Sequence, residues 1–111
     1  MKIKLWPDLV EWPLEASVSG DKLTLNGEVF DFSQLKEGFL LPSTAVDSRF
    51  FVETEMIQRV GGEVCITIRL PVTHETAEEI RNPAEPIVLQ IKRGKVKFPD
   101  TCAPKEVEKN D

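Results

Sequence analysis

The chain contains no tyrosine, a single histidine (His74) and two cysteines (Cys65 and Cys102). Each scarcity narrows the chemistry. With one imidazole, a Ser-His-Asp triad would have to be built around His74, and the G-x-S-x-G turn that exposes a serine nucleophile does not occur. His74 and Glu78 stand four apart and would share a helix face. The run His74-Glu75-Thr76-Ala77-Glu78 nevertheless lacks the second histidine of H-E-x-x-H. Metal centres need three or four converging ligands, so a solvated helix end is the reading here. Cys65 lies in an alternating segment and Cys102 in a polar stretch, without the spacing of a zinc knuckle or a redox pair. Free thiols in a reducing compartment are expected, with a disulfide between them left open. No Gly-rich phosphate loop is present, and few aromatic residues interleave with basic ones, which argues against a base-stacking platform. No segment approaches the apolar length that crosses a bilayer. The opening Met1-Lys2-Ile3-Lys4-Leu5-Trp6-Pro7 is too short and too polar for a signal peptide, so an intracellular product, or part of a particle assembled inside a cell, is expected.

Positive charge is also in short supply: 19 acidic residues face 14 basic ones, a net charge of -5. That sign argues against nonspecific nucleic-acid binding, which depends on Lys and Arg neutralising phosphates. Four of the cations, Lys92, Arg93, Lys95 and Lys97, form one local stripe. Lysines on a strand edge commonly keep other strands from pairing there, and that reading is preferred to a phosphate footprint.

Period-two alternation broken by glycine turns is what the chain has in quantity. Leu23-Thr24-Leu25 passes through Asn26-Gly27 into Val29-Phe30-Asp31-Phe32. Met56 to Val60 passes through Gly61-Gly62 into Val64 to Leu70, and Ile87 to Lys92 passes through Arg93-Gly94 into Val96-Lys97-Phe98. Asn-Gly suits a type I′ turn, where both central residues take positive φ. The pattern predicts a mainly β domain of antiparallel hairpins, a small meander, sandwich-like or barrel-like, with one short surface helix; an α+β arrangement is the alternative. At 111 residues the chain is one domain by size and can hold a core without staples. Residues 1–98 are expected to form it, and residues 99–111 a charged, disordered tail.

Further expectations follow along the chain. Ile3 and Leu5 open a short strand that Pro7 ends. Trp6 and Trp12, each followed by proline, are expected to cover one end of the core. Ala16 to Phe32 should be a three-strand meander through Gly20-Asp21 and Asn26-Gly27, with Phe30 and Phe32 on one side and Val29 and Asp31 on the other. Ser33 to Pro42 reads as a loop, followed by one helical turn capped by Ser43. Phe50 to Val60 reads as one long strand, bulged where the alternation slips between Thr54 and Ile57. Glu53 and Glu55 would share its solvent face. Val64, Ile66, Ile68 and Leu70 mark a central strand. Thr76-Ala77-Glu78-Glu79 fits a capping box for a short helix that Asn82-Pro83 stops.

The run Ser19 to Leu35 has the pattern S-G-D-x-L-x-x-N-G-x-x-F-D-F-S-x-L. Gly38, Leu41, Pro42 and Ala45 give G-x-x-L-P-x-x-A, and Leu70-Pro71 is followed by a short polar helix and Pro83 to Ile87. Over residues 19 to 88 the chain thus resembles small uncharacterised proteins encoded in the tail region of tailed phages and prophages. The resemblance implies genomic context and carries over no catalytic residues. It points to a noncatalytic protein acting by protein–protein contact, in tail assembly or as a minor virion component. Its expected setting is the bacterial host cytoplasm or the virion. Expected partners are other phage structural or assembly proteins, or a second copy of the chain; no cofactor, membrane or nucleic acid is expected. The candidates for an interaction surface are Trp6, Trp12, Asp31, Phe39 and His74. The alternative is a small-ligand or regulatory binding module, with the helix near His74 and the loop Phe39 to Val46 lining its pocket. A small enzyme is the third reading.

Overall fold

The computed structural model describes residues 1–46, 48–99 and 101. They form nine strands, one 3₁₀ turn and one short helix. The strands are β1 (Lys2–Asp8), β2 (Ala16–Ser19), β3 (Lys22–Leu25), β4 (Glu28–Asp31), β5 (Leu40–Pro42), β6 (Met56–Val60), β7 (Glu63–Pro71), β8 (Ile87–Gln90) and β9 (Arg93–Lys95). The 3₁₀ turn is Ser43–Val46 and the helix α1 is Glu78–Arg81. The mainly β expectation holds. Two sheets form, a five-stranded one ordered β5-β6-β7-β1-β8 and a four-stranded one ordered β4-β3-β2-β9. Their inward side chains meet in one core: Ile3, Leu5, Ile57, Ile66 and Ile68 from the first, Val18, Leu23, Leu25 and Phe30 from the second. Phe51, only 1 % exposed, ties the two together. Its ring meets Phe30 at 5.2 Å and Phe32 at 6.3 Å, both edge-on, the geometry aromatic quadrupoles favour.

The meander β2-β3-β4 forms as the turn residues dictate. Asn26 (φ 48°) and Gly27 (φ 87°) both take positive φ, as a type I′ hairpin requires. Phe30 and Phe32 are buried and Val29 is exposed, so the two faces divide as the alternation predicts. The Gly61-Gly62 turn joins β6 to β7, and β7 is the middle strand of its sheet.

Ser33 to Pro42 is not loop throughout, because Leu40–Pro42 pairs with β6 as β5, and four further expectations are corrected. First, Pro7 does not end β1, which continues to Asp8 beside β7 in a parallel pair, Pro7 opposite Leu70. The reason is directional. Met1 and Ile91 exchange both backbone bonds across the β1–β8 ladder, so odd-numbered residues of β1 direct their backbone groups toward β8. That ladder stops at Leu5 opposite Ile87, so no acceptor awaits an N–H at Pro7. Second, Phe50 to Val60 is not one strand. Continued downward, the Gln58↔Cys65 register would bring Glu55 opposite Ile68, yet Phe51 stands there. Four extra residues therefore leave the ladder as a turn, closed by Glu55 N–H to Val52 O at 3.1 Å. Phe50, Phe51 and Val52 are all buried, and burying three consecutive side chains is incompatible with alternation. Glu53 accordingly sits in the turn, off any shared strand face with Glu55.

Third, Ile87 to Phe98 is not a hairpin. β8 joins the five-stranded sheet beside β1, and β9 joins the four-stranded sheet beside β2. Ile91-Lys92 forms the corner between sheets: Ile91 N–H bonds to Met1 O (2.9 Å) and Lys92 O accepts from Gly20 N–H (3.3 Å). Fourth, the capping box does not form. The helix is the single turn Glu78–Arg81, with Ala77 at its N-cap and no side-chain cap. Thr76 is buried; its hydroxyl accepts from Thr73 N–H (2.9 Å) and donates to the Thr101 carbonyl (2.6 Å). The helical turn at Ser43–Val46 is present, but Ser43 Oγ is buried and caps nothing among the described residues. Apart from Pro99 and Thr101, the expected tail, Cys102 included, lies outside the described residues.

Candidate functional site

The alternation that buries Ile3, Leu5, Ile57 and Ile68 turns their neighbours onto the outer face of the five-stranded sheet. Register assigns Lys2, Lys4 and Trp6 of β1, Cys65, Thr67 and Arg69 of β7, Gln58 of β6, Leu40 of β5, and Val88 and Gln90 of β8 to that face. Met56 and Val60 share Gln58's side. Five of the large apolar residues that remain exposed, Trp6, Leu40, Met56, Val60 and Val88, are therefore on one face. A depression of about 240 Å³ runs across it, lined by Lys2, Lys4, Glu55, Met56, Cys65 and Val88 among others. Lys4 Nζ pairs with Glu55 Oε1 at 3.1 Å over this face. The outer face of the four-stranded sheet differs: opposite residues there are Ser17 and Lys95, Ser19 and Arg93, Lys22 and Asp31, with Thr24 beside Val29.

The five sequence candidates do not converge. Trp6 is 44 % exposed on the outer face just described, contrary to the expected burial, because its even position shares the parity of Lys2 and Lys4. Phe39, 63 % exposed, leads into β5 at the edge of the same sheet. Trp12 packs against the core, edge-on to Phe50 at 5.6 Å, with the Arg49 guanidinium 4.8 Å from its ring centroid. Its Nε1 is buried without a hydrogen-bond partner among the described residues. Asp31 is exposed on the other sheet, where Oδ1 accepts the Ser33 N–H at 2.9 Å. That bond, with the Ser33 side chain next, holds the Asp31 carboxyl below its ordinary range. It closes a turn at the end of β4, which accounts for both Asp31 and Ser33 structurally.

His74 is exposed beside a depression of about 250 Å³ that Asp8, Arg81 and Asn82 also line. Ser43 and Thr44 line a different one, of about 330 Å³, with Ser48, Arg49 and Glu53. The helix near His74 and the loop 39–46 thus contribute to separate hollows and build no common pocket. No group of three or more potential metal ligands occurs among the described residues. No described helix is long and apolar enough to cross a membrane.

Sequence reasoning missed a polar hub at one end of the molecule. Arg59 Nε donates to the Leu35 carbonyl (2.6 Å), and Nη1 donates to Gly62 O (3.0 Å) and Asp21 Oδ1 (3.3 Å). Nη2 donates to Asp21 Oδ2 (3.0 Å) and Phe32 O (3.1 Å). Beside it the Glu37 carboxylate accepts both the Gly61 and Gly62 N–H groups, at 2.8 and 2.9 Å. Those two backbone donors, Gly62 foremost, hold the Glu37 carboxyl below its ordinary range. Glu63 is lowered too, first by the Met1 ammonium 3.1 Å from Oε2. The only local signal was the Gly61-Gly62 pair; Arg59's partners Asp21, Phe32 and Leu35 lie 38, 27 and 24 residues from it in sequence. No family model, curated protein or solved structure matches this chain.

Proposed function

We propose that this protein is noncatalytic and works by protein–protein contact through the outer face of its five-stranded sheet. The observation that carries the reading is the gathering of Trp6, Leu40, Met56, Val60 and Val88 on one side, while the other sheet turns out mainly hydroxyl and charged groups. The register sets Lys2, Lys4, Cys65 and Thr67 along the middle of this face, bridged by the Lys4–Glu55 ion pair, with the large exposed apolar side chains around them; such a mixture of apolar and charged groups is the usual make-up of a non-obligate contact surface. The resemblance of residues 19–88 to phage and prophage tail-region proteins supports a setting in tail assembly or as a minor virion component. Other phage structural proteins or a second copy of the chain are the partners in that setting.

The test is site-specific crosslinking. A photoreactive amino acid replaces Val88 in one variant and Val29, on the outer face of the other sheet, in a second. Both are expressed in cells producing the neighbouring gene products. Adducts are expected from position 88 and not from position 29, each identified by mass spectrometry as self or partner. Equal yields from both positions, or none from 88, would reject this face as the contact surface.

A further inference from the structure

The open edge of β9 carries a second, chemically distinct surface. β9 is the last strand of the four-stranded sheet, paired only with β2. Val96 N–H bonds to Ala16 O at 2.9 Å and Gly20 N–H to Lys92 O at 3.3 Å, so the even-numbered residues 92, 94 and 96 direct their backbone groups at β2. Arg93 and Lys95 therefore direct theirs away from the sheet. Among the described residues nothing bonds to them. The same parity governs the side chains. Val96 is buried in the core, whereas Arg93, Lys95 and Lys97 stand exposed on the outer face, opposite or beside Ser17 and Ser19. None of the three forms an ion pair among the described residues. The residues that offer free backbone donors and acceptors are thus also the ones that offer cations, about 7 Å apart along the edge.

We propose that the β9 edge binds an extended acidic segment of a partner protein by strand addition. An incoming strand would exchange backbone bonds with Arg93 and Lys95. The residues directly opposite them place their side chains on the same face, so carboxylates at alternate positions would meet the guanidinium and ammonium groups. A basic edge repels another basic edge, which keeps copies of this chain from pairing there, and the same charge selects an acidic strand. A nucleic acid would use the charge and leave the outward amides unused. This surface belongs to the other sheet and is independent of the contact face proposed above.

The probe is an amidated peptide alternating glutamate and valine, titrated against the full chain by fluorescence anisotropy at low salt. Saturable binding is expected, weakened at least about tenfold in the Arg93→Gln, Lys95→Gln double variant. The variant's circular dichroism and melting curve are recorded alongside, and Lys36→Glu, at an exposed loop position, serves as a variant of equal charge change elsewhere. A peptide methylated on the amides that face the edge keeps every carboxylate and loses the backbone donors; it is expected to bind at least about tenfold more weakly. Equal binding by the methylated peptide, an equal loss in Lys36→Glu, tighter binding of a single-stranded oligonucleotide than of the peptide, or no saturable peptide binding would each overturn the proposal.

Discussion

Arg59 joins three segments through one guanidinium: the β6–β7 turn, the turn at Asp21 and the chain leaving β4. Its side chain is only 14 % exposed, so removing it leaves the Leu35 carbonyl without a donor and takes one of two from the Phe32 carbonyl, which keeps the Leu35 N–H. Arg59→Met should destabilise the fold by about 1–3 kcal/mol, most of it from the Leu35 carbonyl, because Asp21 is open enough for solvent to screen its charge. Arg59→Lys should recover little, since an ammonium cannot reproduce the planar fork. Urea midpoints at constant slope would read both. Acid should weaken the same region. The carboxyls of Asp31 and Glu37 are lowered in the fold because the ionised forms accept backbone N–H bonds. Their contribution is therefore present above the ordinary values of 3.8 and 4.5, and is lost as pH falls through the lower folded values. Melting temperature should drop across that window, and Glu37→Gln should flatten the drop; an unchanged acid limb in that variant would refute the assignment. The two indoles also differ. Iodide should quench Trp6 strongly and Trp12 weakly, as Trp6→Phe and Trp12→Phe variants would separate.

At the scale of elements, each local hairpin was written in its own turn, whereas every pairing between distant segments was not. Asn26-Gly27 and Gly61-Gly62 specify where the chain reverses because positive φ is a local demand. Even so, Asn26 does more than turn. Its Oδ1 accepts from Glu15 N–H, its Nδ2 donates to Pro13 O, and its own N–H bonds to Glu15 O, each at 2.8 Å. Asn26→Gly keeps the turn and removes both side-chain bonds, so a loss of about 1–2 kcal/mol is expected where turn propensity alone predicts almost none. Thermal denaturation distinguishes the two. The segment Phe50-Phe51-Val52 misled the reading because its three residues are buried by different neighbours, which no period can express. Phe51→Ala should cost about 3–5 kcal/mol, since the ring it removes contacts Phe30 and Phe32 of the opposite sheet. The capping box failed for a related reason: Thr76 Oγ accepts the Thr73 N–H behind it in place of a helix N–H ahead, and its proton goes to the Thr101 carbonyl, 25 residues on. Arg59 gave no signal at all, because three of its acceptors are main-chain carbonyls, groups that every residue carries.

For the whole molecule, the decisive arrangement is that the first strand lies between two of the later ones. β1 pairs along its full length with β7 and over Lys2–Leu5 with β8, partners more than 55 residues away. Ile87 to Phe98 looked like a hairpin because alternation reports which side of a sheet a residue faces and says nothing of which sheet it joins. The candidate contact face was half legible for the same reason: Trp6, Leu40 and Val88 could be given a parity, but only the strand order brings them together. That order also has a consequence during synthesis. While the ribosome is still making residues 9 to 62, the β1 segment has no partner on either side, and its Ile3 and Leu5 side chains are destined for the core. The five-stranded sheet can close only after Gln90 has cleared the exit tunnel. A nascent chain stalled before that point should therefore remain sensitive to protease throughout its N-terminal half and be a ready client for a trigger-type holdase.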